Sequence, residues 1–344
     1  MLLTSILVGL ILAETIVRVW NLDWNFIRDL LYYQGVDVQC HVLDTDPRVM
    51  FRLKPGSVCR DDSYKSTING LGFRGNERSI EKNPGSYRIV CIGGSNVYGA
   101  GLNDDETWPA QLENKLNNSC TTRFEVWNLG VPAYVGIQMA TVAEEAISQY
   151  DPDLVILALS NKGARAFLSR EQVVDYFDTD PYFWELLMPP EHLKFPPLIP
   201  YQYRIALIRH WRFFRYGFLA ITARSEEIHD WRDGYEHHEA INISSVRDFL
   251  KTGHGDVPVM VFLCPAESSQ TLAIDDYTEG SGVPVLDLEA DEMPDEYREI
   301  HPPPYVMTWY ADNLFGWLKE NGLLPPDCID DPDETPIDPR INAE

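Results

Sequence analysis

Residues 88–101 read Arg88-Ile-Val-Cys-Ile-Gly-Gly-Ser95-Asn-Val-Tyr-Gly-Ala-Gly101. A short apolar run rich in β-branched residues stops at Gly93-Gly94, and a serine follows at once. Trp108-Pro-Ala-Gln-Leu-Glu-Asn-Lys-Leu116 then reads as a helix. A buried strand that breaks into a glycine turn lifts the next side chain to the carboxyl edge of a sheet, where open α/β folds place their chemistry. Ser95 is therefore a candidate nucleophile, provided a base reaches it. The same residues also read as a plain tight turn or a phosphate loop. The G-x-G-x-x-G fingerprint and the G-x-x-x-x-G-K-[ST] loop are both absent, and Val97 occupies the last position of a G-x-S-x-G elbow.

Working outward, five apolar runs read as strands: Arg88 to Ile92, Phe124 to Asn128, Leu154 to Leu159, Val257 to Leu263 and Val283 to Leu286. Helical patterns fall at Thr107 to Asn117, Gly136 to Gln149, Ser244 to Thr252 and Met307 to Asn321. This alternation predicts an α/β fold, a parallel sheet covered on both faces. Residues 24–82 form an irregular approach segment containing Asn69-Gly-Leu-Gly-Phe-Arg-Gly75. An insertion at about 165–239 is dense in aromatics, as in Tyr182-Phe-Trp184 and His210-Trp-Arg-Phe-Phe-Arg-Tyr216. It is open to three readings: a lid, an accessory helical subdomain with an aromatic core, or a membrane contact.

At 344 residues the chain has room for one large domain with insertions, or two small ones. The formal charge of −25 argues against nucleic acid as a partner, because phosphate binding needs clustered Lys and Arg. Part of that acidity lies in residues 325–344, a proline-bearing segment that reads as a disordered tail. Residues 1–23 open with an apolar run from Met1 to Ala13, interrupted afterwards by Glu14 and Arg18. They read as a membrane anchor with Trp20 and Trp24 at the interface, the alternative being an amphipathic helix packed on the domain. Of six cysteines, Cys91 and Cys264 read as buried thiols, and Cys40 and Cys59 are placed to pair in an oxidising compartment. With no C-x-x-C pair, no cysteine metal site is expected.

A serine needs a base, and of eight histidines His301 is the best placed. It lies in Tyr297-Arg-Glu-Ile-His-Pro-Pro-Pro304, between the last strand and the last helix, at the carboxyl edge. His237-His238 reads as a surface pair. The loops Trp127-Asn-Leu-Gly-Val-Pro-Ala-Tyr134 and Ala158-Leu-Ser-Asn-Lys-Gly163 fall at the same edge, where donors for a developing oxyanion are wanted. Asn161 has a side-chain amide to offer there.

These blocks, in this order, resemble the SGNH hydrolases, or GDSL esterase/lipase superfamily. The match runs through Gly93-Gly-Ser95-Asn-Val-Tyr-Gly99, Thr107-Trp-Pro-Ala-Gln-Leu112, Asn128-Leu-Gly-Val-Pro-Ala133, Leu159-Ser-Asn161-Lys and His301-Pro. The approach segment Asn69 to Arg74 is similar to that of membrane-anchored members. The resemblance covers roughly Asn69 to Asn321. It implies a flavodoxin-like three-layer sandwich around a five-stranded parallel sheet, over residues 83–324. It further implies Ser95 as nucleophile, His301 as general base and then acid, and the Ser95 N–H, the Ala133 N–H and the Asn161 amide as oxyanion donors. Two departures stand out. Arg298 occupies the place of the family's aspartate, leaving Glu299 or Asp295 to orient His301, and Lys162 replaces the aspartate after Asn161.

The expected function is hydrolysis of a small-molecule, lipid or glycan ester through an acyl-serine intermediate, on an anchored domain outside the cytoplasm. That chemistry calls for neither metal nor other cofactor. The alternatives are an O-acyltransferase or deacetylase of a cell-surface glycan, and a relative with a decayed site that only binds.

Overall fold

In a computed structural model of the chain, the described residues are 2–20, 22, 40–44, 46, 48–49, 51–60, 64–132, 134–159, 199–200, 203, 207, 211–214, 216–217, 236–265, 274–288, 297, 299 and 301–328. They open with helix α1 (Leu2–Trp20) and four three-residue strands, β1 (His41–Leu43), β2 (Phe51–Leu53), β3 (Val58–Arg60) and β4 (Lys65–Thr67). Strand β5 (Ser86–Gly93) leads into the single helical turn α2 (Ser95–Tyr98), then α3 (Trp108–Ser119), β6 (Arg123–Asn128), α4 (Gly136–Tyr150) and β7 (Leu154–Leu159). After the insertion come α5 (Glu236–Asp248), β8 (Val259–Leu263), α6 (Ile274–Thr278), β9 (Val285–Asp287) and α7 (Pro304–Glu320).

The five long-range strands form one sheet in the order β6-β5-β7-β8-β9, every neighbour parallel. Numbered along the chain, that is 2-1-3-4-5, the flavodoxin-like order. The reason lies in the side chains. Ile89, Val90, Cys91 and Ile92 are each fully buried, as are Leu154 to Leu157. A strand with no polar face must be covered on both sides, which parallel crossovers through helices achieve. Ile89, Cys91, Ile156, Met260 and Phe262 point into one core with Trp108, Leu112 and Leu116 of α3 and Tyr310, Leu314 and Leu318 of α7. Helix α4 covers the other face. The boundary of α3 follows from its capping: the Thr107 hydroxyl accepts from Ala110 N and Pro109 sits in the first turn.

The approach segment holds more order than its sequence suggests, since β1 pairs with β2 and β3 with β4 as antiparallel ribbons. Three-residue strands carry too little periodicity to be legible. The segment is fastened to the sheet by arginines. Arg88 is fully buried, donates to Glu125 and to the carbonyls of Ser79, Ile80 and Tyr150, and stacks 4.2 Å over the Trp127 ring. Arg78 forms a two-point pair with Glu113.

Disulfides join Cys40 to Cys59 and Cys120 to Cys328, while Cys91 and Cys264 are buried free thiols. The second bridge spans 208 residues, for which the chain-entropy model gives about 5 kcal/mol. It changes the reading of the tail. Residues 325–328 are held to the domain, with Asp327 accepting from Thr121 and from Thr122 N. The remainder, 329–344, lies outside the described residues.

The chain divides into two compact units, one of residues 1–38, 45–48 and 164–239, the other of residues 39–44, 49–163 and 240–344. The N-terminal helix and the aromatic insertion, read from sequence as separate segments, thus share a unit. Within it, Glu14 pairs with Arg18 and accepts from the backbone N–H groups of Arg212 and Phe213. Both charges that interrupt the apolar run are therefore paired. Ile6, Leu7, Val8, Ile11, Leu12, Ile16, Val19 and Trp20 remain exposed on the helix. Among the described residues no helix is long and apolar enough to cross a membrane.

Burial alone would raise the Glu125 carboxyl above its ordinary value of 4.5. Hydrogen bonds from Asn83 and Arg88 and the charges of Arg88 and Arg78 hold it below that value instead. A depressed carboxyl stabilises the fold fully above about pH 4.5 and loses that contribution as pH falls through its folded-state pKa. Urea unfolding from pH 7 to pH 3 should therefore show an acid loss that is reduced in Glu125→Gln. Coincident pH profiles would contradict the assignment.

Candidate active site

The site begins where β5 ends, because β6 and β7 flank it and their connections leave in opposite directions, which opens a crevice at the carboxyl edge. Ser95 is half-buried there, the first residue of α2. Gly93 and Gly130 make the turn possible. A Cβ on Gly93 would lie 2.4 Å from Val97 and 2.8 Å from the Ala158 carbonyl. A Cβ on Gly130 would lie 2.3 Å from Tyr98 N and 2.7 Å from the Val97 carbonyl carbon. The loop after β6 is thus pressed against α2 backbone to backbone. Asn128 secures the contact: its amide donates to Val97 O at 2.7 Å, and its Oδ1 accepts from Gly130 N at 3.0 Å. Val131 N donates to Gly93 O and closes the seam.

The other side of the turn rests on Arg74, from the approach motif Asn69 to Gly75. Its side chain is 1% exposed. It donates to the carbonyls of Tyr98, Gly99 and Leu102 and pairs with Asp104, while its guanidinium lies 4.6 Å over the Tyr98 ring. Tyr98 in turn donates to the Ser66 hydroxyl at 2.7 Å. Gly99, at φ 81°, has no room for a Cβ beside Thr107 and Arg74. Sequence reasoning gave Arg74 no role, because nothing local to residue 74 says that its carbonyl partners lie 24 to 28 residues on.

His301 sits at the same edge, exposed, and shares with Glu299 an open cleft of about 580 Å³. The opposite wall is Ala100, Gly101 and Leu102, the loop that follows the serine turn; Pro302 to Pro304 and Tyr305 complete the lining. The fold therefore brings the histidine loop and residues 100–102, five to seven places after Ser95, to one cleft, and Ser95 itself is not among the residues that line it. Asp295, Arg298, Ala133, Asn161 and Lys162 lie outside the described residues. His237 and His238 fall in α5. Among the described residues no cluster of histidine, cysteine or carboxylate side chains is arranged to hold a metal.

Two buried residues adjoin these loops. Asn96 follows Ser95 and is 6% exposed, and Tyr310 of α7 is fully buried. The Tyr310 hydroxyl donates to the Tyr297 carbonyl at 3.0 Å. Burial pushes the Cys91 and Cys264 thiols well above their ordinary range, so neither supplies a thiolate nucleophile at this edge.

Compared with protein-family models and with curated proteins, the chain matches none.

The seam at Gly130 yields a sharp expectation. Gly130→Ala should cost about 3 kcal/mol by overpacking, since backbone must move to admit the methyl. Gly85→Ala, whose Cβ meets open space at φ 76°, should cost only about 1 kcal/mol. Equal losses of urea stability would contradict the close approach.

Proposed function

We propose that the protein is a serine hydrolase of acyl esters, of the SGNH type that its sequence blocks resemble. The observation that carries this reading is the convergence of the loop after Ser95 and the loop of His301 on one cleft, with the end of β5, from which Ser95 follows, at the switch point of the sheet. In the proposed reaction Ser95 Oγ attacks the acyl carbon while the His301 imidazole takes its proton. The carbonyl oxygen becomes an oxyanion, for which the Ser95 and Ala133 N–H groups and the Asn161 amide are the proposed donors. The imidazolium then protonates the leaving alcohol. Water, deprotonated by His301, attacks the acyl-serine, releases the acid and restores the hydroxyl.

Ser95→Ala and His301→Ala should each lower p-nitrophenyl acetate hydrolysis by about 10³-fold or more while leaving thermal unfolding unchanged. Undiminished turnover in Ser95→Ala would refute the reading. The acceptor is a second question. The cleft is open, and the Tyr305 ring, 47% exposed, stands beside His301. An exposed aromatic face suits the apolar face of a sugar ring, which favours a glycan hydroxyl as the partner in a deacetylase or O-acyltransferase. Adding polysaccharide to the same assay separates transfer from hydrolysis.

The proposed location is a membrane surface outside the cytoplasm. Two disulfides in one domain suit an oxidising compartment, and the exposed apolar side chains of α1 suit burial in lipid. Removal of residues 1–23 should shift the protein from the membrane pellet to the soluble fraction. Sedimentation of the truncated chain with membranes would exclude α1 as the anchor.

A further inference from the structure

The alcohol half of the ester has a place of its own in this fold, an inference that rests on the hydrolase reading. The acyl carbon and its oxyanion belong to Ser95, which is not among the residues that line the cleft, whereas His301 is. In the proposed reaction the serine proton passes to His301 and then to the alcohol oxygen. The electron pair of the breaking carbon–oxygen bond settles on that same oxygen. A cleft that holds the acid but not the nucleophile therefore receives the departing alcohol. An acceptor hydroxyl in a transfer reaction enters by the same place.

We propose that this cleft is an alcohol subsite for a neutral or aminated sugar ring, and that Glu299 sets it against anionic alcohols. Tyr305, the second residue of α7, supplies the apolar surface, its side chain 47% exposed. That ring is held in place: it meets the buried Tyr297 ring at 5.9 Å, and Tyr297 packs edge-on against Trp309 at 5.1 Å. A fixed aromatic ring of this kind gives the C–H face of a pyranose something flat to rest on. Glu299, also exposed, supplies the polar part. A carboxylate accepts on both oxygens, so it takes hydrogen bonds from sugar hydroxyls or from an ammonium group. No other Asp, Glu, Lys or Arg lines the cleft, and the formal charge of −25 on the chain has the same sign as Glu299. An alcohol bearing a carboxylate, sulfate or phosphate enters against that field.

Both walls are set before any ligand arrives. On the histidine side the chain is stiffened by Pro302, Pro303 and Pro304, and Pro303 O accepts from Val306 N as α7 begins. On the opposite side Ala100 and Gly101 are bracketed by Gly99 and Leu102, whose carbonyls both accept from the buried Arg74. The side chains on that wall are small, and a Cβ on Gly101 would meet no atom within 4 Å. The cleft thus keeps its volume of about 580 Å³ open to a ring. A pre-formed cleft spares the ligand the cost of ordering its walls.

The test compares mono-acetylated methyl glucoside, methyl glucosaminide and methyl glucuronide, with ethyl acetate as the ester whose alcohol is too small to fill the cleft. Tyr305→Ala should lower kcat/KM for the acetylated glucoside about tenfold relative to ethyl acetate, through KM. At pH 8 the wild-type chain should favour the glucoside and the glucosaminide over the glucuronide by about fivefold, a gap that about 0.5 M sodium chloride narrows. Glu299→Gln should erase that gap. The readout is a ratio between two substrates, which any effect of Glu299 on His301 itself would leave unmoved. A glucuronide processed as fast as the glucoside by the wild-type chain, or a Tyr305→Ala loss shared equally by ethyl acetate, would overturn the inference and leave the hydrolase reading intact. If the wild-type chain hydrolyses none of these esters, the hydrolase reading falls by itself. Saturation-transfer NMR of methyl glucoside with the full chain then decides the subsite: a signal weakened in Tyr305→Ala supports it, and no signal, or one that Tyr305→Ala leaves unchanged, rejects it.

Discussion

At the carboxyl end of β5 there is room for hydrogen atoms and nothing larger. Gly93 lies against Val97 and the Ala158 carbonyl, and Gly130 against the backbone of Val97 and Tyr98. Without these contacts the chain could not leave the sheet, turn within two residues and present Ser95 beside the loop after β6. The constraint reaches back into the sheet. Both close approaches need β5 between β6 and β7, and the 2-1-3-4-5 order puts it there. The turn is then locked from outside by Arg74, whose donors are spent on the carbonyls of Tyr98, Gly99 and Leu102.

Electrostatics repeats this pattern of long-range fastening. Arg74, Arg78 and Arg88 each combine a carboxylate partner with backbone carbonyls. Buried guanidinium groups are costly unless their donors are filled, and here they are filled largely by loops. Short ribbons such as β1–β2 and β3–β4 would be marginal alone; the Cys40–Cys59 bridge ties one ribbon to the other, and the arginine contacts hold the segment on the domain.

Legibility in the sequence tracks the range of the interactions. Leu154 to Leu159 was readable to the residue, since an unbroken apolar run between a proline-bearing turn and a polar loop has one economical fate. The helices after the glycine turn and after Ala133 were placed within two or three residues at each end, because caps are local. The Cys40–Cys59 pairing was legible from proximity along the chain. Cys120–Cys328 was not, because 208 residues separate the partners and the acidic, proline-bearing flank pointed to solvent. At the candidate site Ser95 and His301 announce themselves by their settings. Arg74 and Tyr310 do not, as their partners are brought near only by the assembled sheet.

The most direct test of the account is chemical capture of the proposed nucleophile. The full-length chain, treated with a fluorophosphonate and mapped by peptide mass spectrometry, should carry one phosphonyl group on Ser95, with labelling lost in His301→Ala. Labelling at another residue, or none on folded wild-type protein, would contradict the claim that Ser95 is an activated hydroxyl.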